Sequence, residues 1–435
     1  MIGSEAAGDS ARAIEQANAF VSARTLRSYQ RDIALEGGFS LCSPYDGRLV
    51  SPVACHVFNL GDAAYGNLGI AYRFAGPSPF WLLASSVKDG FPLTEAYVPA
   101  EDRSFWSLED NLTTLHGPWK AELARLEHER QACLSSLVDS QPTVLVGHPN
   151  FAHHLWNELP ALRTCLELVA RTGCKSPVLQ ALYEPLVPLA RLMPQGAQPV
   201  SRVSGFCEVN GLRDTLVTRL GSTRVSTSLR EHVVAAIADA TAGRPSLVGA
   251  RERLAKCSPV FWLSVRVDAR TADNQAEFLL SLVPALAEAY PDCGFIVDGF
   301  SYPADFSHAI YRQGESADGL EGETAERGFL DGAMRRREHE VGAAIGSLIR
   351  QLEQRCHNPL VVVSGRDIPE AAALASLADY YVCHTGTLQH KVAWLHNTPG
   401  MVHANRAGLQ PGAARWLADQ LESCLLYTSP SPRDH

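Results

Sequence analysis

His154 and Glu158 stand four positions apart in the segment HPNFAHHLWNELPAL, His148 to Leu162. On a helix such residues are neighbours, and here they lie at the edge of an apolar stripe of Phe151, Leu155, Leu162 and Leu166. The pair has the composition of an oriented acid–base device. Either the carboxylate orients the imidazole, or a partly buried carboxylate takes a proton from a hydroxyl itself. The alternative is a purely structural contact in which the two side chains satisfy each other. His153 beside them joins the candidate set, and Pro160 predicts a kink.

A second polar group sits near the end of the chain, in ADYYVCHTGTLQHKVAWLHNTPGMVHAN, Ala378 to Asn405. A strand runs into His384, Thr385, Gly386 and Thr387, and a helix follows. The first N–H groups of that helix and the positive end of its dipole suit an anion such as a diphosphate. Thr387, His390, Lys391 and Trp394 share one side of it, and Leu388, Val392 and Leu395 another. The competing reading is a helix capped by Thr385 or Thr387, with His390 and Lys391 solvated. Arg266 and Arg270, at the end of FWLSVRV and beyond it, are either forks for a phosphate or partners in surface ion pairs. Ser364 and Gly365 close PLVVVSG and Asp367 follows it, where Asp367 either meets a ribose hydroxyl or starts the next helix.

No metal site is expected, because His148, His153 and His154 lack Cys or carboxylate companions at a ligand spacing. Neither G-x-G-x-x-G nor G-x-x-x-x-G-K-[ST] occurs, which removes the signatures of dinucleotide oxidoreductases and P-loop phosphotransferases. D-x-D is absent too, so the expected chemistry is metal-independent, with no cofactor.

The elements that must carry these residues change character along the chain. From Gly38 to Phe105 short β-like runs predict hairpins or irregular strands. Ala121 to Leu137 reads as a charged helix, PTVLVGHP as a buried strand, Asn150 towards Arg171 as a helix, and Ser226 to Thr241 as another. TAGRPSLVGARERLAKCSP reads as a linker, placing a boundary near residue 250. Beyond it, FWLSVRV, GFIVDGF, PLVVVSG, YYVCHTG and PGMVHAN alternate with helical stretches, which predicts a parallel sheet with helices on both faces. The polar stretch Pro303 to Arg337 reads as either a lid at the carboxyl edge of that sheet or a surface insertion.

The 435 residues suit two domains, 1–250 and 251–423. A net charge of −9 with no basic cluster argues against nucleic acid or an anionic membrane as partner. Eleven single cysteines without a C-x-x-C pair, no signal-like start and no run of about 18 apolar residues predict a cytoplasmic protein with reduced thiols and no transmembrane segment. Residues 424–435, beginning CLLYTSPSPRD, resemble a translated sequencing adapter and are expected to be an artefact that packs against nothing.

The strand, small-residue turn and helix near the end of the chain, followed by a strand opening Pro-Gly, resemble the donor-binding half of GT-B glycosyltransferases. His148 to Leu162 is similar to the Asn-x-x-His and Leu-Pro-x-Leu helix of the family containing plant xylosyltransferases and O-linked GlcNAc transferases, although that family often has Asp where this chain has Glu158. The resemblance covers about 40 residues at two places. It implies a two-domain GT-B-like α/β fold, with a more irregular N-terminal acceptor-side α/β domain and a C-terminal Rossmann-like domain. It further implies a nucleotide-sugar donor, a glycan or other hydroxyl acceptor, transfer in an interdomain cleft and a place in polysaccharide biosynthesis. The runner-up is a non-catalytic nucleotide- or glycan-binding protein that keeps the fold.

Overall fold

The computed structural model describes residues 12–16, 26–59, 68–107 except 77, 86, 88 and 89, 116–130, 141–193, 200–202, 215–222, 225–267, 271–306 and 323–406. Two compact units emerge: Met1–Glu184 with Met193–Arg224 and Gly319–Glu326, and Pro185–Leu192 with Val225–Asp318 and Arg327–His435.

The first unit opens with helix α1 (Ser28–Glu36) and a two-residue ribbon, β1 (Leu41–Cys42) and β2 (Leu49–Val50). The runs expected to be hairpins or irregular strands are successive hairpins of one antiparallel sheet: β3 (Pro52–Asn59), β4 (Leu68–Phe74), β5 (Phe80–Ala84), β6 (Leu93–Val98) and β7 (Arg103–Ser107), paired in chain order with register shifts at Pro52/Ala54, Leu83/Ala84 and Ala96/Tyr97. Its central strands are apolar on both faces because both are covered. Ile70, Tyr72, Phe74 and Leu82 join Tyr29 and Ile33 of α1 in one core, while Ala71, Trp81, Leu83 and Tyr97 pack on Leu123 and Leu126 of helix α2 (His116–Arg130). Arg73 and Glu127 close that second layer as a forked ion pair, with Arg73 Nε 2.9 Å from Glu127 Oε2.

The same unit holds a parallel sheet that the sequence reading resolved only at its first strand. β8 (Thr143–Val146), β9 (Val178–Ala181), β10 (Val200–Arg202) and β11 (Val217–Arg219) lie in the order β10-β9-β8-β11, all parallel. Between β8 and β9 runs α3, made of Phe151–His153, a π-helical stretch His154–Glu158, and Leu159–Thr172. Asn150 caps it, its side chain accepting from Ala152 N at 3.0 Å. Pro160, where a kink is expected, directly follows the π-helical stretch and stands at the start of Leu159–Thr172, where a missing N–H is tolerated.

The second unit begins before residue 250. The stretch read as a linker contains helix α5 (Pro245–Leu254), which packs with α4 (Thr227–Thr241) on α8 (Ile368–Ala375). Ser226 caps α4 by accepting from Leu229 N at 3.2 Å. Burial of Leu247, Ala250 and Leu254 is what makes α5 part of the domain.

The five expected strands are β12 (Val260–Ser264), β13 (Gly294–Asp298), β14 (Leu360–Val362), β15 (Tyr380–His384) and β16 (Gly400–His403). They form one parallel sheet in the order β14-β13-β12-β15-β16. Phe261, Leu263, Phe295 and Val297 face α6 (Gln275–Ala289) and α7 (Glu323–Leu352). The opposite face meets α5, where a side chain on Gly294 would strike Leu254, and α9, the run of Thr387–Gln389 and the π-helical His390–Trp394. Pro303 to Arg337 is in part the helix α7; its residues 307–322, and the tail from 407 onward, lie outside the described residues. Among the described residues no helix is long and apolar enough to cross a membrane.

Two candidate sites at the carboxyl edges of the parallel sheets

In each of the two parallel sheets the chain starts at a central strand, winds outward, and returns to the other side of it. Such a reversal leaves a crevice at the carboxyl ends of the two strands flanking it, where ligands of open α/β sheets bind. The reversals fall between β8 and β11 and between β12 and β15.

At the first, Glu158 is 2% exposed and collects four donors. Gly147 N and His148 N donate to Oε2 at 3.0 and 2.7 Å, His154 Nδ1 lies 3.1 Å from the same oxygen, and Arg219, closing β11, donates to Oε1. Burial opposes ionisation of this carboxyl, but Arg219 and the two histidines outweigh it and hold it well below the usual carboxylate range. The i, i+4 contact expected from sequence is therefore present, but Glu158 is a poor proton acceptor. Its oxygens are committed to donors and its basicity is suppressed, and one of them faces His154 Nδ1.

The two other histidines are engaged differently. His148 Nδ1 accepts from Asn150 N at 3.0 Å, and burial pushes the ring well below the ordinary histidine range, so it is neutral. His153 Nδ1 lies 3.0 Å from Asn157 Oδ1, and Asn157 in turn donates to Ser222 O at 2.6 Å.

At the second edge, Arg266 follows β12 and is clamped by Gln275, which accepts from Arg266 N at 2.8 Å and donates to Arg266 O at 2.9 Å. Its guanidinium reaches across the reversal to Thr385 O at 3.1 Å. Thr385 N is fixed by His403 O at 2.9 Å, and Gly386 has φ 109° and ψ −155°, a conformation open essentially to glycine alone. No side chain caps α9, so the capping role weighed for Thr385 and Thr387 is not taken up. Arg266, Gly386 and Thr387 thus remain together as anion-binding candidates.

Other members of the expected set do different work. Lys391 is buried, with Nζ 2.8 and 2.9 Å from the Asp298 carboxylate and 2.9 Å from Ser301 Oγ, so its charge is spent inside the protein. His390 is buried and stacks on Trp394 instead of being solvated. His384 is also buried, its N donating to Ser264 Oγ at 2.7 Å, which makes it floor rather than lining. Asp367 caps α8 by accepting from Glu370 N at 2.8 Å and pairs with Arg244 at 2.7 Å, so it starts the helix. Ser364 donates to Phe300 O at 3.4 Å and Gly365, at φ 84°, donates to the same oxygen at 2.8 Å, which ties the exits of β13 and β14 together. Arg270 lies outside the described residues.

Arg219, Asp298, Ser264 and Gln275 were not legible as site residues. Three of them share a usable signal, a polar residue closing an apolar run (LVTR, FIVD, FWLS), which marks the carboxyl end of a strand. Among the described residues no group of three His, Cys, Asp or Glu side chains is arranged to hold a metal ion.

No protein-family model matches the chain, and neither does any curated protein. Three solved structures are similar to it at 10% identity. A UDP-GlcNAc 2-epimerase from Neisseria meningitidis bound to UDP-GlcNAc aligns over 67% of this chain and 64% of its own length, with a TM-score of 0.25. A glycosyl transferase of family 9 from Veillonella parvula DSM 2008 aligns over 60% and 80%, at 0.29. An S. aureus MnaA–UDP co-structure aligns over 67% and 69%, at 0.23. The chain spans just under two thirds of the epimerase, and at such TM-scores no residue of these proteins transfers onto this one.

Proposed function

We propose that this chain is a glycosyltransferase that holds a nucleotide-sugar donor at the carboxyl edge of the second unit's sheet. The observation that carries the reading is the meeting of Arg266 and the Thr385–Gly386–Thr387 turn at the reversal between β12 and β15. A guanidinium supplies a fixed fork for phosphate oxygens, and the first N–H groups of α9 supply the positive end of a helix. As the glycosidic bond breaks, the leaving diphosphate gains negative charge, and both groups bind that charge more strongly than the ground state. Neither needs a metal ion. The acceptor, in this reading, is a glycan or another hydroxyl compound, as the likeness of His148 to Leu162 to the xylosyltransferase family implies.

Calorimetric titration of the full chain with UDP, GDP and dTDP and their sugars tests the donor site. Arg266→Met should weaken the nucleotide that binds by at least about 10-fold, the usual size of a lost charge-assisted hydrogen bond, with unfolding unchanged. Failure of all these nucleotides to bind, or binding indifferent to Arg266, rejects the site. Saturable binding with no transfer to any acceptor would favour a non-catalytic binding protein.

A further inference from the structure

His154 is fully buried, and its two ring nitrogens have different fates. Nδ1 faces Glu158 Oε2 at 3.1 Å, an oxygen that already accepts from two backbone N–H groups. An ionised carboxylate can only accept, so Nδ1 carries a proton, and in the neutral ring Nε2 is then the nitrogen with the lone pair. That lone pair has no hydrogen-bond partner within the described protein. A buried polar atom without a partner is costly and calls for an explanation. A ligand that donates a hydrogen bond supplies one. A neutral hydroxyl is a fitting group, since it donates to the lone pair and brings no further charge into a buried site whose carboxylate is already paired with Arg219.

We propose that His154 binds the acceptor hydroxyl through Nε2 and takes its proton during transfer, and that Arg219 is the positioning residue which fixes Glu158 as the partner of Nδ1. The inference rests on the glycosyl-transfer reading. As the hydroxyl oxygen bonds to the anomeric carbon, the bond from that carbon to the donor phosphate breaks and its electron pair leaves with the diphosphate. The hydroxyl proton passes to Nε2, the resulting imidazolium is balanced by Glu158, and the proton is then released to water. Arg219 donates to Glu158 Oε1, so Oε2 stays turned towards His154 and the Gly147 and His148 amides. Without it the carboxylate would be free to rotate or to protonate, and the imidazole would lose its fixed tautomer. The charged and titratable groups around His154 are Glu158, Arg219, His148 and His153.

Long-range proton–nitrogen NMR on the full chain labelled with ¹⁵N-histidine tests the geometry, with His154→Gln assigning the signal. A single neutral tautomer with the proton on Nδ1 is expected, kept in Arg219→Lys and lost in Arg219→Met. A proton on Nε2 in the unaltered chain, or a tautomer indifferent to Arg219→Met, overturns the arrangement. Transfer from whichever UDP-, GDP- or dTDP-sugar binds, onto a panel of mono- and disaccharides, tests the chemistry. His154→Gln should lower kcat by about 10²-fold or more with nucleotide affinity unchanged. Binding with kcat within about 3-fold of the unaltered chain defeats this proposal alone, and so does binding without turnover by the intact chain. Absence of binding by all three nucleotide sugars defeats the donor reading, and the transfer step with it.

Discussion

Lys391 and Asp298 form a fully buried ion pair, Nζ lying 2.8 and 2.9 Å from the two carboxylate oxygens. The first unit repeats the device with reversed polarity. There a π-helical stretch carries the acid, Glu158, and the base, Arg219, closes a strand; in the second, Lys391 lies in the π-helical stretch and Asp298 closes the strand. A π-bulge adds a residue to a helix turn and often marks a functional site. Both stretches follow a strand whose exit turn contains a glycine at strongly positive φ, Gly147 at 105° and Gly386 at 109°.

Breaking the second pair should be expensive. Lys391→Met leaves Asp298 buried without its cation, a loss of about 3–5 kcal/mol in denaturant unfolding. Lys391→Met with Asp298→Leu should recover much of that, because the uncompensated charge is gone. An isolated Lys391→Met loss below about 1 kcal/mol would show that the pair is hydrated and weak.

Glu158→Gln should destabilise the first unit by a similar amount, about 3–5 kcal/mol, since it removes the charge that faces buried Arg219 and an acceptor for the Gly147 and His148 amides. Far-UV melting of the variant beside the unaltered chain checks this, and an unchanged melting temperature would show that the fold does not depend on the Glu158 charge.

Stability should fall steadily on the acid side. His148 is held neutral with a folded pKa far below its unfolded value of about 6.5, so its contribution is present above that pH and is lost as pH falls through it. Burial pushes the His403 ring down in the same way, to about 4, and it adds to the same loss. Glu158 is likewise depressed, so its contribution is lost below its unfolded value of about 4.3. Asp298 acts in the opposite sense, because burial raises its pKa despite Lys391 and acid relieves it. Urea midpoints measured from pH 7.5 to 4 should decline, and His148→Asn should flatten the portion between about 6.5 and 5. A flat profile in the unaltered chain would contradict the burial of His148.

Gly147→Ala should be far more damaging than an ordinary glycine replacement. A Cβ there would overlap the backbone of Tyr183, which cannot swing aside as a side chain would, and the residue also has φ 105°. Loss of soluble protein or of more than about 3 kcal/mol in unfolding is expected. Gly173→Ala, where a Cβ meets nothing within 4 Å, should cost only the strain of φ 71°, about 1 kcal/mol.

Asp367→Ala should cost about 1 kcal/mol through loss of the α8 cap, its half-exposed pair with Arg244 adding little. Nucleotide affinity should stay within about 2-fold in calorimetric titration. A large loss of affinity would restore the ribose-binding role that the ion pair now argues against.

The second unit's sheet was readable because its central strands β12, β13 and β15 are largely buried and its strands are written as near-continuous apolar runs between helical stretches. The Asn150 and Ser226 caps and the proximity of His154 to Glu158 are equally local, set by spacings of two to four residues. Strand order is not local: nothing in FWLSVRV or YYVCHTG says that β12 and β15 are neighbours, since that depends on how helices far apart in sequence cover the faces. Arg219 and Glu158 are 61 residues apart, and Lys391 and Asp298 93, so only the folded sheets could reveal that the expected base is saturated and the expected phosphate lysine is spent. Sequence determined which side chains could do chemistry. Burial and long-range pairing decided which still have a free lone pair or charge to do it with, because desolvated groups are claimed first by whatever partner the fold brings within reach.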